Sequence, residues 1–188
     1  MTAVNSQMLA LGTSAPDFSL PDVEGKVHSL AATTGPCLVM FICNHCPFVH
    51  HVREELARLG RDYGESVAIY AINSNDSGTH PGDSPERMKQ EALDWGYSFP
   101  YLVDGEQSVA KAYRAACTPD VYVFDAKREL VYRGQLDGSR PSNNVPVDGR
   151  DVRAALNAVL EGRPVSPDQV PSIGCNIKWN RGNEPEYY

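Results

Sequence analysis

No run of apolar residues in this sequence is long enough to span a membrane, and neither an internal repeat nor a low-complexity tract is present. The first twelve residues have no charged leader segment and no apolar stretch of signal-peptide length, so a cytoplasmic protein is expected. Positive charge is in short supply: 17 Lys and Arg face 24 Asp and Glu, for a formal net charge of -7. A general binder of nucleic acid or acidic membrane needs a basic face, so neither partner is expected. A second tight cysteine pair is also missing, and structural zinc sites usually carry one. What remains is ordinary for a soluble chain, with 41% hydrophobic and 22% charged residues, and 188 residues suffice for one well-buried domain.

Cysteine is the informative residue. Five in a chain without export signals point to redox or metal chemistry before a disulfide framework. Two of them frame Cys43-Asn44-His45-Cys46, directly after the buried-strand pattern Leu38-Val39-Met40-Phe41-Ile42 and directly before Pro47. Proline is favoured at the first helical position, which makes Cys46 the N-cap of an exposed helix start. Unpaired backbone donors and the positive end of the helix dipole meet a sulfur there, and both favour thiolate. Cys43 is near enough to close a disulfide with it, and a CxxC in a βαβ setting signals thioredoxin-like redox chemistry.

The remaining pattern supports that setting. Val49, Val52, Leu56, Leu59 and Tyr63 make one helical stripe, with His50, His51, Arg53, Glu55 and Arg58 off it. Residues 67–72 read as a second, parallel strand, and Ser84-Pro85 starts a helix running to about Trp95. Residues 15–20 and 26–30 read as a hairpin, 121–124 and 130–134 as another, and 151–161 as a closing helix stopped by Gly162. Residues 1–11 read as a loose lead-in. The expected layout is a domain over 12–162 and an extended tail over 163–188 without helical or strand period, docked through Ile173, Ile177 and Trp179.

This order of elements is that of an α/β three-layer sandwich with a central mixed sheet, an N-terminal hairpin and an extended C-terminal tail. Four separated motifs make the chain resemble the peroxiredoxin-like group of thioredoxin-fold proteins: residues 41–47, 71–76, 117–120 and 172–179. The resemblance implies a thioredoxin fold. It also implies that Thr118-Pro119 is the cis-proline loop, whose preceding residue offers its backbone to an extended substrate. Counting from Phe41, it places the attacking thiol at Cys46, whereas ordinary CxxC order would give that role to Cys43. Pro47 favours Cys46 as nucleophile and Cys43 as resolver.

Around this pair, His45 is expected to act as a cation favouring the Cys46 thiolate. Cys117 is read as a third redox partner or as core. Cys175 is read as a partner for Cys117, as an acceptor of the disulfide from Cys46, or as a buried thiol. Cys37 reads as core, Asn73, Asn75 and Asp76 as loop hydrogen bonding near the corner, and Asp137 to Arg140 as a border of the groove. The expected activity is thiol-disulfide exchange on a protein or small-molecule disulfide, with a thioredoxin- or glutathione-type reductant and no cofactor. One alternative is a thiol peroxidase. The threonine and proline that precede a peroxiredoxin's reactive cysteine by three and seven residues are replaced by Cys43 and Val39, which counts against it. The other is a non-catalytic module that binds a metal or a partner through the thiols, with Cys43, Cys46, Cys117 and Cys175 as the candidate metal ligands.

Overall fold

The structure, a computed structural model, describes residues 3–188. In chain order the elements are β1 (Ala3–Asn5), β2 (Ser19–Pro21), β3 (Val27–Ser29), β4 (Cys37–Phe41), α1 (Pro47–Tyr63), β5 (Ala68–Asn73) and α2 (Pro85–Trp95). They continue through β6 (Tyr101–Val103), α3 (Ser108–Ala112), β7 (Cys117–Thr118), β8 (Asp120–Phe124), β9 (Leu130–Gly134), α4 (Arg150–Leu160) and β10 (Ile173–Asn176).

Strand β4 is buried along its whole length, as an apolar run without alternation requires of a central strand. It pairs in parallel with β5 and antiparallel with β8, in a mixed sheet ordered β6-β5-β4-β8-β9. Side chains alternate across the sheet, so Leu38 and Met40 join one apolar layer, and Cys37, Val39 and Phe41 the other. The first layer is made with α1, Met88 of α2, and α4. Phe18, Leu30, Val109 and Tyr113 build the second, together with Ile177 and Trp179. The α/β three-layer architecture with a mixed central sheet is as expected.

Three local readings are corrected. Residues 3–5 are not a loose lead-in: β1 pairs antiparallel with β10. The tail does contain a strand, because β10 lies between β1 and β7 in a three-stranded sheet of its own. Both segments are too short to show a period, and backbone pairing rather than side-chain alternation fixes them. Glu55, off the apolar stripe of α1, is nonetheless buried, because Arg153 of α4 reaches it at 2.6 Å and Arg58 at 3.2 Å. The ion pair replaces the water that an isolated carboxylate would need.

One buried polar cluster has no counterpart in the sequence reading. Asp120 and Tyr122 alternate onto the same face of β8, and Tyr122 sits opposite Arg133 of β9. All three are fully buried, and the Tyr122 hydroxyl donates to Asp120 Oδ2 at 3.1 Å. Burial pushes the Asp120 carboxyl up to about 7, against the opposing pull of the Arg133 charge.

Candidate active site

Strand β4 delivers the chain to the corner, and Ile42 N–H still bonds the Ile72 carbonyl at 3.0 Å. Cys46 is the N-cap of α1 with extended backbone (φ -80, ψ 121), and Pro47 follows inside the helix, as the sequence requires. The corner itself is pinned by Asp83, which accepts from Asn44 N–H at 2.7 Å and from Asn75 Nδ2 at 2.9 Å, while His45 Nδ1 lies 2.5 Å from its second oxygen. Burial raises the Asp83 carboxyl, but the bonds from His45, Asn75 and Asn44 outweigh it and hold the group below its usual range.

An ionised carboxylate only accepts, so His45 donates through Nδ1 to Asp83. Its ring stacks on His80 with centroids 5.0 Å apart, and its buried Nε2 has no hydrogen-bond partner among the described residues. His45, expected as a cation favouring the Cys46 thiolate, has its Nδ1 on the Asp83 carboxylate. A ring nitrogen of His45, the Cys43 sulfur and an Asp83 oxygen lie within 4.8 Å of one another.

Thr118 gathers the sulfurs. Cys43 Sγ is 3.2 Å from the Thr118 hydroxyl, and Cys46 Sγ is 3.1 Å from the Thr118 carbonyl oxygen. Cys175 stands opposite Thr118 in the antiparallel β10–β7 register. The Thr118-Pro119 peptide is cis. All five cysteines are buried thiols, with Cys46 at 0% and Cys43 at 1% exposure, so the corner is not the open helix start that the sequence suggested. Strand β10, packed on α1 and paired to β7, closes it.

The thiols divide sharply in acidity. Cys46 is drawn down to about 4, first by the hydrogen bond from the Cys43 thiol; burial opposes this, and the Cys175 thiol and the backbone N–H groups of Cys175 and Val49 add to it. The Thr118 carbonyl, an acceptor, works against ionisation, but one acceptor is set against four donors. Its partner Cys43 is pushed well up, because it holds the shared proton, is buried, and faces Asp83. Burial and the Cys46 charge raise Cys175 to about 12. Burial likewise raises Cys117, whose sulfur contacts the Pro119 carbonyl at 3.6 Å. Cys37 is core.

Asn73 and Asn75 hold the loop, Asn73 Oδ1 accepting from Asn75 N–H at 3.0 Å. Arg140 borders a cleft with Phe48, His51, Pro119 and Ile173, but its guanidinium is occupied by the carbonyls of Asp137 and Ser139 and by Gln135 Oε1. Four cysteines do not converge into a cage: the group with metal-ligand spacing among the described residues is Cys43, His45 and Asp83, and two of its members are bonded to each other. Asp83 and Gly174 are the site residues that the sequence reading missed. A polar residue ahead of Ser84-Pro85 gives no hint that it reaches back to the corner, and a glycine among tail residues gives none of a close approach.

Known proteins share this architecture. A solved structure of an uncharacterized conserved protein from Geobacillus kaustophilus superposes with TM-score 0.93 at 56% identity, covering 96% of this chain and 97% of that one. A secreted Mycobacterium tuberculosis disulfide oxidoreductase homologous to E. coli DsbE shares only the fold, at 13% identity and TM-score 0.59 over 75% of this chain and 95% of its own. Among curated sequences, thiol-disulfide oxidoreductase ResA of Geobacillus kaustophilus is 27% identical over 126 residues, 65% of this chain and 67% of that protein. This chain spans about two thirds of the length of the curated relatives it matches. The fold is thioredoxin-like, and a model of the AhpC/TSA family matches residues 11–133, from ahead of the first hairpin through the corner to Arg133 in β9; the chain belongs to the AhpC/TSA family.

Proposed function

We propose that the protein is a thiol-disulfide oxidoreductase in which Cys46 attacks and Cys43 resolves. One observation carries the reading: Cys46 caps the start of α1 ahead of Pro47, with its sulfur and that of Cys43 both against Thr118 of the cis Thr118-Pro119 peptide, and the Cys43 thiol draws Cys46 toward the thiolate. The Cys46 thiolate attacks one sulfur of a substrate disulfide, a Cys46–substrate disulfide forms, and the other substrate sulfur leaves as thiolate. Once Cys46 is in the mixed disulfide its charge is gone, and with it the neighbouring negative charge that kept Cys43 protonated. Cys43 then loses its proton and attacks Cys46 Sγ; the Cys43–Cys46 bond forms and the second substrate thiolate departs. The Cys43 proton passes to solvent when the corner opens to substrate, and His45, held by Asp83, keeps a ring nitrogen within 4.8 Å of the Cys43 sulfur. The substrate class is a protein or small-molecule disulfide, and a thioredoxin- or glutathione-type reductant returns the dithiol.

The test compares insulin-disulfide reduction with hydrogen peroxide consumption, both coupled to a thioredoxin-type reductant. Insulin should be reduced, and peroxide should disappear no faster than with Cys46→Ser. In Cys43→Ser the mixed disulfide should be trapped on Cys46. Rapid peroxide consumption with insulin untouched would replace this reading by a peroxidase.

A further inference from the structure

Cys175 is left over by the two-thiol scheme, yet its surroundings are built. It lies on β10, with Ala3 of β1 on one side and Thr118 of β7 on the other, so both edges of its strand are paired. The same Thr118 touches the sulfurs of Cys43 and Cys46 through its hydroxyl and its carbonyl. The preceding residue shows how tightly the strand is seated. A β-carbon at Gly174 would land on the Thr118 carbonyl, 2.6 Å from its carbon and 3.2 Å from the Pro119 nitrogen, so only glycine lets β10 approach this closely. Any extended chain reaching Cys46 along the β7 edge would need the place that β10 already holds.

We propose that Cys175 is a redox-active thiol, the internal disulfide partner of Cys46, presented by the tail strand in the position of an extended substrate chain. The inference rests on Cys46 being the attacking thiol. After resolution, the Cys175 thiol gives up its proton to solvent and its thiolate attacks the Cys46 sulfur of the Cys43–Cys46 disulfide. The Cys46–Cys175 bond forms, the Cys43–Cys46 bond breaks, and Cys43 leaves as thiolate and takes up a proton. No electrons enter or leave in that step: the disulfide moves from the corner to the tail. Where Cys43 is absent, Cys175 displaces the substrate thiolate from Cys46 directly.

The experiment oxidises the full-length protein with glutathione disulfide and maps its peptides without reduction. In Cys43→Ser, Cys46 should first carry glutathione and then exchange it for a Cys46–Cys175 link, releasing a second glutathione. Adding Gly174→Ala should lower the yield of that link about five-fold or more and leave glutathione on Cys46, because the displaced strand no longer aims its thiol. A lasting Cys46–glutathione adduct in Cys43→Ser, with Cys175 still open to alkylation, overturns the proposal and leaves the Cys46 assignment intact. Glutathione on some other cysteine sinks both. Should Cys43→Ser fail to fold, oxidised wild type decides, because a linked Cys46–Cys175 peptide is required there and its absence is a negative answer.

Discussion

Cys46→Ser should lower disulfide reduction by about 10^3-fold or more, since it removes the proposed nucleophile while the other thiols of the corner are all held above the ordinary thiol value. The sign of the pH dependence is set by the direction of the Cys46 shift. Its pKa falls from the ordinary thiol value to about 4, so the thiolate fraction is already complete well below neutrality. Alkylation of Cys46, followed by mass spectrometry, should hence be flat between about pH 6 and about pH 8, where an ordinary thiol gains roughly ten-fold per pH unit. Cys43 and Cys175, both raised, should label slowly throughout and speed up only towards alkaline pH. A Cys46 rate that climbs ten-fold per unit across that range would remove the electrostatic basis of the assignment.

The second large effect is on stability and comes from Asp120. Its carboxyl is raised from 3.8 to about 7, so below the unfolded value both states hold the proton and the burial costs nothing extra. As pH rises from about 4 to about 7 the unfolded chain releases that proton and the folded chain keeps it, so stability falls. At ~1.4 kcal/mol per pH unit, wild type should lose about 3 kcal/mol from this group over that window. Asp120→Asn cannot titrate and should lose none of it. Urea unfolding of both proteins at two pH values checks the difference. Asp83 and Asp137, both held below their usual range, contribute in the opposite sense, their stabilisation being lost as pH falls under the ordinary carboxylate value. They are common to both proteins and cancel in the comparison. The asymmetry follows from chemistry: Asp120 can shed its charge by binding a proton, whereas Arg133 cannot release one.

The central strand, the first helix and the placement of Cys46 at its cap were legible because they rest on local signals. These are an unbroken apolar run, a proline, and a stripe at helical spacing over Val49, Val52, Leu56, Leu59 and Tyr63. Cys43 beside Cys46 follows from the same spacing. What the sequence does not display is which distant group completes a contact. Asp83 reaches His45 across 38 residues, and Arg153 reaches Glu55 across 98, so a histidine that reads as a neighbour of Cys46 turns to a carboxylate instead. The tail strand is hidden for a different reason. Four residues paired with two carry no periodicity, and their position depends on a glycine whose meaning appears only once the Thr118 carbonyl is beside it. Burial of the corner follows from that strand and was unreadable with it.

Because β10 is paired on both edges and Cys46 beneath it is fully buried, a reagent from solution should reach that sulfur only when the strand opens locally. Raising the reagent concentration should therefore speed the encounter only until opening becomes limiting, and stopped-flow rates for different small disulfides should then converge on one ceiling. Selectivity among such molecules should then show only under dilute conditions, with the tail strand setting the pace at saturation.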